Sequence, residues 1–358
     1  MIHIGRIVNS QSYPKPAHGW GEPHNPYPLI RLRGHPIVLD GGNKWGHHRS
    51  IVVEAPASIA NLGPGFDILA TAIEGFRDRV RISILPGDGR IHIRVYGYSV
   101  PVDERNVAYP IIRRIIDEYD LMDRDFLIDM YKGIPVSAGL GSSGATSAAI
   151  AYGFSTLLCL NLDKKGLLRL AGCGEKHVAG SPHYDNIAAS LFGNIVIVDP
   201  HELDVHIIRP NVEYWFGLLI PVARGSRAKT MIARKIIPTK IDIGVHVKQS
   251  AVIARLVHAL HVGDIEALGR AISLDYIAEP YRSSLIREYW MIKEIAMREG
   301  ALGFNIAGAG PTLFILHRSR KHLLGIGRRL LKYLDTLNLG YSFHITRISR
   351  NGVRIVEA

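Results

Sequence analysis

One segment limits the folds open to this chain: Gly133-Ile-Pro-Val-Ser-Ala-Gly-Leu-Gly-Ser-Ser-Gly-Ala145 joins a strand pattern at 126–130 to a helical pattern at about 142–158. Glycines and serines at the start of a helix leave backbone N–H groups free at the positive end of the helix dipole. We therefore expect a phosphate-binding loop, with a simple helix-capping turn as the alternative.

The segment excludes one class of nucleotide site and leaves another open. It lacks the lysine of G-x-x-x-x-G-K-[ST], so it is not a Walker A loop. The stretch from Gly139 to Gly144 does match G-x-G-x-x-G, and Asp163 follows about 20 residues on, as in dinucleotide-binding folds. However, Gly133 and Pro135 separate the glycines from the strand, and strand-rich sequence precedes the motif. Both features disfavour a dinucleotide-binding oxidoreductase.

Length and composition set the class of protein. The 358 residues suggest roughly two domains, and 47% hydrophobic with 21% charged residues is typical of a globular chain. No apolar stretch reaches the ~20 residues of a membrane span, and no signal-peptide pattern follows Met1. Cys159 and Cys173 are too few for a disulfide framework or a four-cysteine zinc site, and we expect both to be buried in a reducing cytoplasm.

The first 50 residues differ from the rest. They contain six of the 17 histidines, have no lasting hydrophobic periodicity, and show no metal-ligand spacing. We expect an accessory or disordered extension, with a lid or an oligomerisation arm as the alternative.

The remaining pattern mixes strands and helices. Strands are predicted at 51–53, 79–85 and 90–96, with a hairpin turn at 86–89 between the last two. Helices are predicted at 106–119, from the cap Asp163 to 179, and at 243–261, 265–272, 285–299 and 321–334. Strict β-α-β alternation is absent, so we predict an α+β fold with two domains that meet near residue 205.

Two charge features have competing explanations. The net charge of +11 indicates solvated basic faces and attraction for a small anionic substrate, with a polyanion-binding protein as the alternative. Glu175 lies on an apolar helix stripe with Leu168, Ala171 and Val178. A carboxylate there needs a cation or a metal ion, unless it forms an ion pair at the edge of the stripe.

Three ordered motifs resemble those of the GHMP kinases, the family of galacto-, homoserine, mevalonate and phosphomevalonate kinases. The phosphate loop from Pro135 to Ser143 is similar to the family motif P-x-x-x-G-L-G-S-S. Ala55-Pro-Ala-Ser-Ile-Ala-Asn-Leu-Gly-Pro-Gly-Phe-Asp67 resembles the N-terminal signature of homoserine kinases, and Ala307-Gly-Ala-Gly-Pro-Thr312 the C-terminal glycine-rich motif. The resemblance runs from about residue 51 to the end of the sequence. Four further segments support it: Gly174–Lys176, Ser181–Asn186, Thr230–Arg234 and Glu279–Arg282.

The resemblance implies a two-domain GHMP kinase fold after the extension at 1–50. Residues 51–205 would form the ATP-binding domain, like domain 2 of ribosomal protein S5, and 206–358 a ferredoxin-like domain. The implied reaction transfers the γ-phosphoryl group of Mg·ATP to the hydroxyl of L-homoserine, a step in threonine biosynthesis. A GHMP kinase for mevalonate, shikimate or pantoate is the alternative. We also expect a cytoplasmic homodimer that binds neither nucleic acid nor a membrane.

The resemblance also assigns site residues. Asn106 would border the adenine, while Ser143 and Glu175 would hold Mg²⁺. The ATP phosphates would contact Pro135, Val136, Ser137, Ala138, Gly139, Leu140, Gly141, Ser142, Ser143, Gly144 and Ala145.

Homoserine is a zwitterion, so its site needs an anion for the ammonium and cations for the carboxylate. Asp67 matches the ammonium partner, and Arg234 and Arg282 match the carboxylate ligands. Asn61, His183, Asn186 and Thr230 would complete the substrate site, with Asn186 and Arg234 nearest the reaction. An amide cannot accept the hydroxyl proton, so a phosphate oxygen is the expected acceptor, and Asp185 is one only if its side chain turns into the site.

The sequence departs from the family pattern at two places. Gly144 replaces the commoner alanine just inside the helix, and Arg287-Glu288 stands where many relatives have Pro-Gly.

Overall fold

The computed structural model describes residues 7–9, 49–222 and 232–357. Its strands are β1 (Ile7–Asn9), β2 (Arg49–Ala60), β3 (Leu69–Pro86), β4 (Ile91–Gly97), β5 (Arg124–Lys132), β6 (Ile195–Asp199), β7 (Asp204–Ile208), β8 (Trp215–Pro221), β9 (Gly303–Ile306), β10 (Leu313–His317), β11 (Tyr341–Thr346) and β12 (Arg354–Glu357). Its helices include α1 (Ala108–Tyr119), α2 (Ser142–Leu157), α3 (Lys164–Ala179), α4 (Tyr184–Phe192), α5 (Ile243–Val262), α6 (Ile265–Ile272), α7 (Glu279–Arg282), α8 (Tyr289–Arg298) and α9 (Arg320–Thr336).

The first sheet has seven strands in the order β12-β2-β3-β5-β4, with β6 paired to the start of β3 and β7 paired to β6. Its strands are antiparallel except for β4 and β5. Helices α2 and α4 pack on β2 and β3, so the glycine-rich segment before α2 lies at the end of this helical layer. The pairing register shifts between Pro56 and Ala57, where residues 74–76 of β3 form a bulge opposite β2.

The predicted hairpin at 86–89 is wrong. Strand β5 lies between β3 and β4, antiparallel to β3 and parallel to β4. The Asp125 carboxylate accepts hydrogen bonds from the backbone N–H groups of Asp88 and Arg90, both at 2.9 Å. These bonds fix the turn to the end of β5, so the chain crosses β5 instead of returning along β3.

The second sheet has the order β1-β11-β8-β10-β9, with β1 parallel to β11 and the other pairs antiparallel. One face, which includes Phe216 and Phe314, continues the core of the first sheet. The other face packs Leu219 and Leu313 with helices α8 and α9. The core therefore crosses the expected division near residue 205, and the separation into 51–205 and 206–358 stays a prediction. Most of the expected extension lies outside the described residues.

Strand β12 was not predicted, and it joins the first sheet by pairing with β2. It places Arg354 against Glu54, a carboxylate that is 3% exposed. Glu54 accepts hydrogen bonds from Arg354 Nε at 2.6 Å and Arg79 Nη2 at 3.1 Å. Burial alone would raise the pKa of Glu54, but these guanidinium groups outweigh burial and hold it below its usual value.

Two smaller expectations have different outcomes. In the described ranges, no helix is long and apolar enough to cross a membrane. Cys159 and Cys173 are free thiols, but the expectation that both are buried is wrong, because each is only partly covered. Arg114 Nη1 lies 3.2 Å from Cys173 Sγ at the surface between α1 and α3.

Helix α8 begins later than predicted because the chain first forms a 3₁₀ turn at Ser283–Leu285. Glu288 then adopts φ 61° and ψ 20°, a left-handed conformation that costs a residue with a Cβ about 1–2 kcal/mol.

We expect Glu288→Gly to raise the free energy of unfolding by about 1 kcal/mol, because glycine adopts this conformation without steric strain. Chemical denaturation measures the change. Glu288→Ala is the matched control, since it removes the same carboxylate and keeps the strain. Equal effects of the two variants would contradict a backbone origin.

Candidate active site

A single cleft brings together residues from distant parts of the sequence. It is lined by the loop after β2, the segment 135–144, the start of α4, the glycine-rich turn after β9, and two arginines. The predicted site residues that line it are Asn61, Asp67, Asn106, Pro135, Val136, Ser137, Ala138, Gly139, Leu140, Gly141, Ser142, Ser143, Gly144, Glu175, His183, Asn186, Arg234 and Arg282. Ala145 is fully buried and does not line the cleft, and Thr230 lies outside the described residues.

The phosphate loop is held between the other two motifs. Gly139 and Gly141 have φ values of 83° and 67°. A Cβ on Gly139 would lie 2.3 Å from the carbonyl oxygen of Ala307, and one on Gly141 would lie 2.1 Å from Ser58 Oγ. Glycine is therefore required at both positions for two reasons, the backbone conformation and the close approach of neighbouring atoms. Helix α2 begins immediately afterward at Ser142, so its N-terminus faces the cleft.

A buried ion pair fixes both ends of this loop. Asp78 of β3 pairs with Lys132 of β5, and both side chains are almost fully buried. Asp78 Oδ1 accepts the backbone N–H groups of Gly133 and Ile134 at 3.0 Å, while Lys132 Nζ donates to the carbonyl of Ser142 at 3.2 Å. Neither residue is indicated by the sequence as part of the site, because nothing in the local pattern shows that β3 and β5 are neighbours.

The adjacent serines Ser142 and Ser143 are used differently. Ser142 Oγ points inward, with Asp78 Oδ2 at 3.3 Å. Ser143 follows it at the start of α2 and lines the cleft. Of these two serines, Ser143 is therefore the one whose hydroxyl is available to a ligand.

Glu175 lies inside the cleft wall with 2% of its surface exposed. Its Oε2 lies 2.9 Å from His183 Nδ1, and its Oε1 has no hydrogen-bond partner among the described residues. Burial lowers the pKa of His183, but the hydrogen bond and charge of Glu175 outweigh burial, so the net shift is upward. An unpartnered buried carboxylate oxygen beside the phosphate loop suits a Mg²⁺ ion, which prefers oxygen ligands.

The start of α4 contributes an amide and a carboxylate. Asn186 Oδ1 accepts a hydrogen bond from Ser58 Oγ at 2.8 Å, which ties α4 to β2. Asp185 also lines the cleft, and its Oδ1 accepts the backbone N–H of Asn186 at 2.8 Å. Burial, strengthened by the charge of Asp67, raises the pKa of Asp185 to about 6.

Charges of opposite sign meet at one end of the cleft. Asp67 forms an ion pair with Arg234 Nη1, and both side chains are partly exposed. The guanidinium carbons of Arg234 and Arg282 each lie 5.1 Å from the ring centre of Phe66. Arg282 is 5% exposed, and burial lowers its pKa to about 10. Such a group of charges can bind an ammonium and a carboxylate side by side.

Two asparagines shape the cleft through the backbone. Asn61 Oδ1 accepts the N–H of Asp67 at 3.2 Å, and Asn61 Nδ2 donates to the carbonyl of Gly308 at 3.3 Å. Asn106 Oδ1 accepts the N–H of Ala108, the first residue of α1, at 2.9 Å. Its Nδ2 donates to the carbonyl of Pro101, so its amide is committed to backbone contacts.

Two family models and several curated relatives match this chain. Residues 106–194 match the family described as GHMP kinases N terminal domain, and residues 256–335 match GHMP kinases C terminal. A homoserine kinase of Thermoplasma volcanium is 32% identical over 305 residues, which is 85% of this chain and 96% of that protein. A homoserine kinase of Pyrococcus furiosus is 35% identical over 301 residues, or 83% and 98%.

Solved structures give the same result. The homoserine kinase of Cytophaga hutchinsonii has a TM-score of 0.77 and 32% identity, over 86% of this chain and 97% of that one. Mevalonate kinase of L. major, in complex with R-mevalonate, has a TM-score of 0.61 and 16% identity over 88% of this chain and 98% of its own. The second likeness shows the shared fold alone.

In the dinucleotide-binding alternative, Asp163 would be the acidic residue of the ligand site. The structure shows instead that Asp163 caps α3 by accepting the N–H of Gly166 at 2.7 Å. The expected α+β GHMP kinase fold is confirmed by the family matches, the structural similarity, and the mixture of sheets and helices. Identities of 32–38% to homoserine kinases extend over most of the sequence. This chain therefore belongs to the GHMP kinase family, and within it to the group of the homoserine kinases.

Proposed function

We propose that this enzyme transfers the γ-phosphoryl group of ATP to the hydroxyl of L-homoserine and produces O-phospho-L-homoserine for threonine biosynthesis. The observation that carries the proposal is the cleft itself. It joins a glycine-lined helix N-terminus to a group of opposite charges, Asp67 with Arg234 and Arg282. The first part suits polyphosphate, and the second suits the head of an amino acid.

The ATP phosphates would lie along 135–144, where backbone N–H groups and the α2 dipole face the cleft. The fixed positions of Gly139 and Gly141 support this role, since a preorganised loop does not have to be ordered on binding. The adenine would lie near Asn106, where Val107 and Met130 provide an apolar wall. Asn106 would shape that wall instead of reading the base, since its amide is already bonded.

The residues fit a Mg²⁺ ion at Glu175 and Ser143. Glu175 Oε1 is buried and unpartnered within the described ranges, and Ser143 lines the same cleft. When bound, Mg²⁺ would neutralise charge that develops on the phosphates during transfer. His183 would hold the other oxygen of Glu175 in place.

The amino acid would bind with its ammonium at Asp67 and its carboxylate at Arg234 and Arg282. Asp67 and Arg234 form an ion pair with each other in this structure. The substrate ammonium would take the place of Arg234 at Asp67, and the substrate carboxylate would take the place of Asp67 at Arg234. Asn61 would support Asp67 through its backbone N–H, and His183 would line the remainder with Thr230. Mevalonate, shikimate and pantoate lack the ammonium, so Asp67 would disfavour them.

The reaction forms a bond between the substrate oxygen and Pγ and breaks the bond from Pγ to the β,γ-bridging oxygen. Asn186 cannot take the hydroxyl proton. We propose that this proton passes to a phosphate oxygen. Asp185 is the alternative acceptor, because it lines the cleft and its raised pKa, about 6, lies near neutrality.

The variant Asp185→Asn separates these alternatives. We expect turnover to fall modestly, less than roughly 10³-fold, because the amide can still accept the N–H of Asn186. A larger loss in a folded variant would identify Asp185 as the base. Steady-state turnover with homoserine measures this.

The same variant should change the pH dependence of stability. The folded pKa of about 6 exceeds the unfolded value of about 4, so the contribution of Asp185 to stability falls as pH rises from 4 to 6 and is then level. Asp185→Asn removes this fall. Above pH 7 we expect its free energy of unfolding to exceed that of the wild type by up to about 3 kcal/mol, and the difference should vanish near pH 4. Urea denaturation at both pH values checks the result.

A coupled assay of ATP consumption tests the whole proposal. Homoserine, mevalonate, shikimate and pantoate are offered separately at equal concentration. We expect homoserine to be used with the highest kcat/KM, and a higher value for any of the others would replace it as the substrate. The homodimer and the cytoplasmic location that the resemblance implies stay predictions, and sedimentation equilibrium would check the first.

A further inference from the structure

Gln249 of α5 lies outside the cleft but joins the two elements that carry its opposite charges. Its Nε2 donates to the carbonyl of Pro64 at 2.6 Å and to Asp275 Oδ1 at 3.0 Å, and its Oε1 accepts the N–H of Tyr276 at 2.8 Å. The side chain is 3% exposed. Both N–H groups and the oxygen of the amide are therefore bonded, which fixes its orientation.

The first of the two elements that Gln249 joins is helix α7, which ends at Arg282. Asp275 Oδ1 accepts the N–H groups of Ile277 and Ala278 at 2.9 and 3.1 Å, and Oδ2 accepts that of Glu279 at 2.9 Å. A four-residue helix has too few internal hydrogen bonds to be stable alone. The Arg282 guanidinium donates to the carbonyls of Ala233 at 3.1 Å and Gly308 at 2.7 Å, while Asp275 supports the helix that carries it. Asp275 is in turn hydrogen-bonded to Gln249.

The second element that Gln249 joins is the loop that carries Asp67. Pro64 precedes Asp67 by three residues, and Asp67 has φ 62°, a conformation that residues with a Cβ rarely adopt. Such a residue holds its conformation only when its surroundings impose it. The hydrogen bond from Gln249 to Pro64 is one such support from outside the loop.

We propose that Gln249 is a positioning residue that holds Asp67 and Arg282 at the separation required to bind the ammonium and the carboxylate of one α-amino acid. The proposal rests on the proposed function and extends it to the source of head-group specificity. Gln249 touches no substrate in this arrangement, since it does not line the cleft. Its effect passes through Pro64 on one side and Asp275 on the other.

The variant Gln249→Met tests this, because it keeps the length of the side chain and removes its hydrogen bonds. We expect KM for homoserine to rise about 10- to 100-fold, while KM for ATP changes less than twofold. The preference for homoserine over 4-hydroxybutyrate, which lacks the ammonium, should fall about tenfold. So should the preference over 3-amino-1-propanol, which lacks the carboxylate. Loss of stability alone would not change these two ratios.

Thr346→Val is the matched control, since it removes another buried side-chain hydrogen bond, 2.8 Å to the carbonyl of Glu74, at a residue that does not line the cleft. It should leave KM and both ratios unchanged. If Gln249→Met fails to fold, Asp275→Asn carries the test, with the same direction expected. Unchanged KM and ratios in a folded variant would overturn the positioning role. Failure of the wild type to phosphorylate homoserine would instead overturn the proposed function.

Discussion

Replacing Arg234 with leucine is expected to lower kcat/KM for homoserine by at least about 30-fold, mainly through a higher KM. Loss of one charge-assisted contact costs about 2–5 kcal/mol, or roughly 30- to 4,000-fold. Arg234 is 41% exposed, so water will replace part of the lost contact and the effect should lie toward the lower limit. KM for ATP should change little, because Arg234 is not part of the phosphate loop.

The control for this variant is Arg94→Leu. Arg94 is 48% exposed and pairs with Asp129 on the first sheet, with Nη2 and Oδ2 2.8 Å apart. It resembles Arg234 in exposure and pairing but does not line the cleft, so both KM values should stay unchanged. A rise in KM for ATP with Arg234→Leu, while homoserine is unaffected, would make Arg234 a phosphate ligand.

The partner variant Asp67→Asn should also weaken homoserine binding. It should improve the relative use of 4-hydroxybutyrate, because that analogue would no longer leave a carboxylate without its ammonium partner. The two changes distinguish loss of a specific contact from general damage to the cleft.

Glu175→Gln is expected to lower turnover by roughly 10²- to 10³-fold. The amide keeps the shape of the side chain and an oxygen for His183, but it removes the charge that would hold Mg²⁺. The required Mg²⁺ concentration should rise, and thermal denaturation should show that the fold is retained. Near wild-type turnover at limiting Mg²⁺ would show that Glu175 is only structural.

Glu54→Gln serves as its control. Glu54 is a second buried carboxylate, 3% exposed, but it lies in the first sheet among arginines. Its loss should reduce stability, because Arg79 and Arg354 lose a charged partner. It should leave the Mg²⁺ dependence of turnover unchanged.

The sequence was most informative where one local segment carries the chemistry. The glycine-rich turn and the helix after it were predicted from this segment, and α2 begins at Ser142 as expected. Glu175 was singled out because a carboxylate on an apolar stripe needs a partner, and the structure shows one oxygen on His183 and the other without a partner among the described residues.

The sequence was least informative where distant segments meet. Pro64 and Gln249 are 185 positions apart, and no local pattern indicates that they form a hydrogen bond. The hairpin prediction failed for the same reason. Asp125, whose carboxylate accepts hydrogen bonds from Asp88 and Arg90, lies 37 and 35 positions further along the chain than these residues. Asp78 and Lys132 became a pair only once β3 and β5 were known to be adjacent.

The pairing of β12 with β2 has a consequence for biosynthesis. Arg354 is translated 300 residues after Glu54, which at about 5–20 residues per second is a delay of about 15–60 seconds. During that time β2 can pair with β3, and Arg77 and Arg79 are the cations already available to Glu54. The first sheet would thus take shape early, and among the described strands β2 would lack its edge partner until β12 emerges from the ribosome.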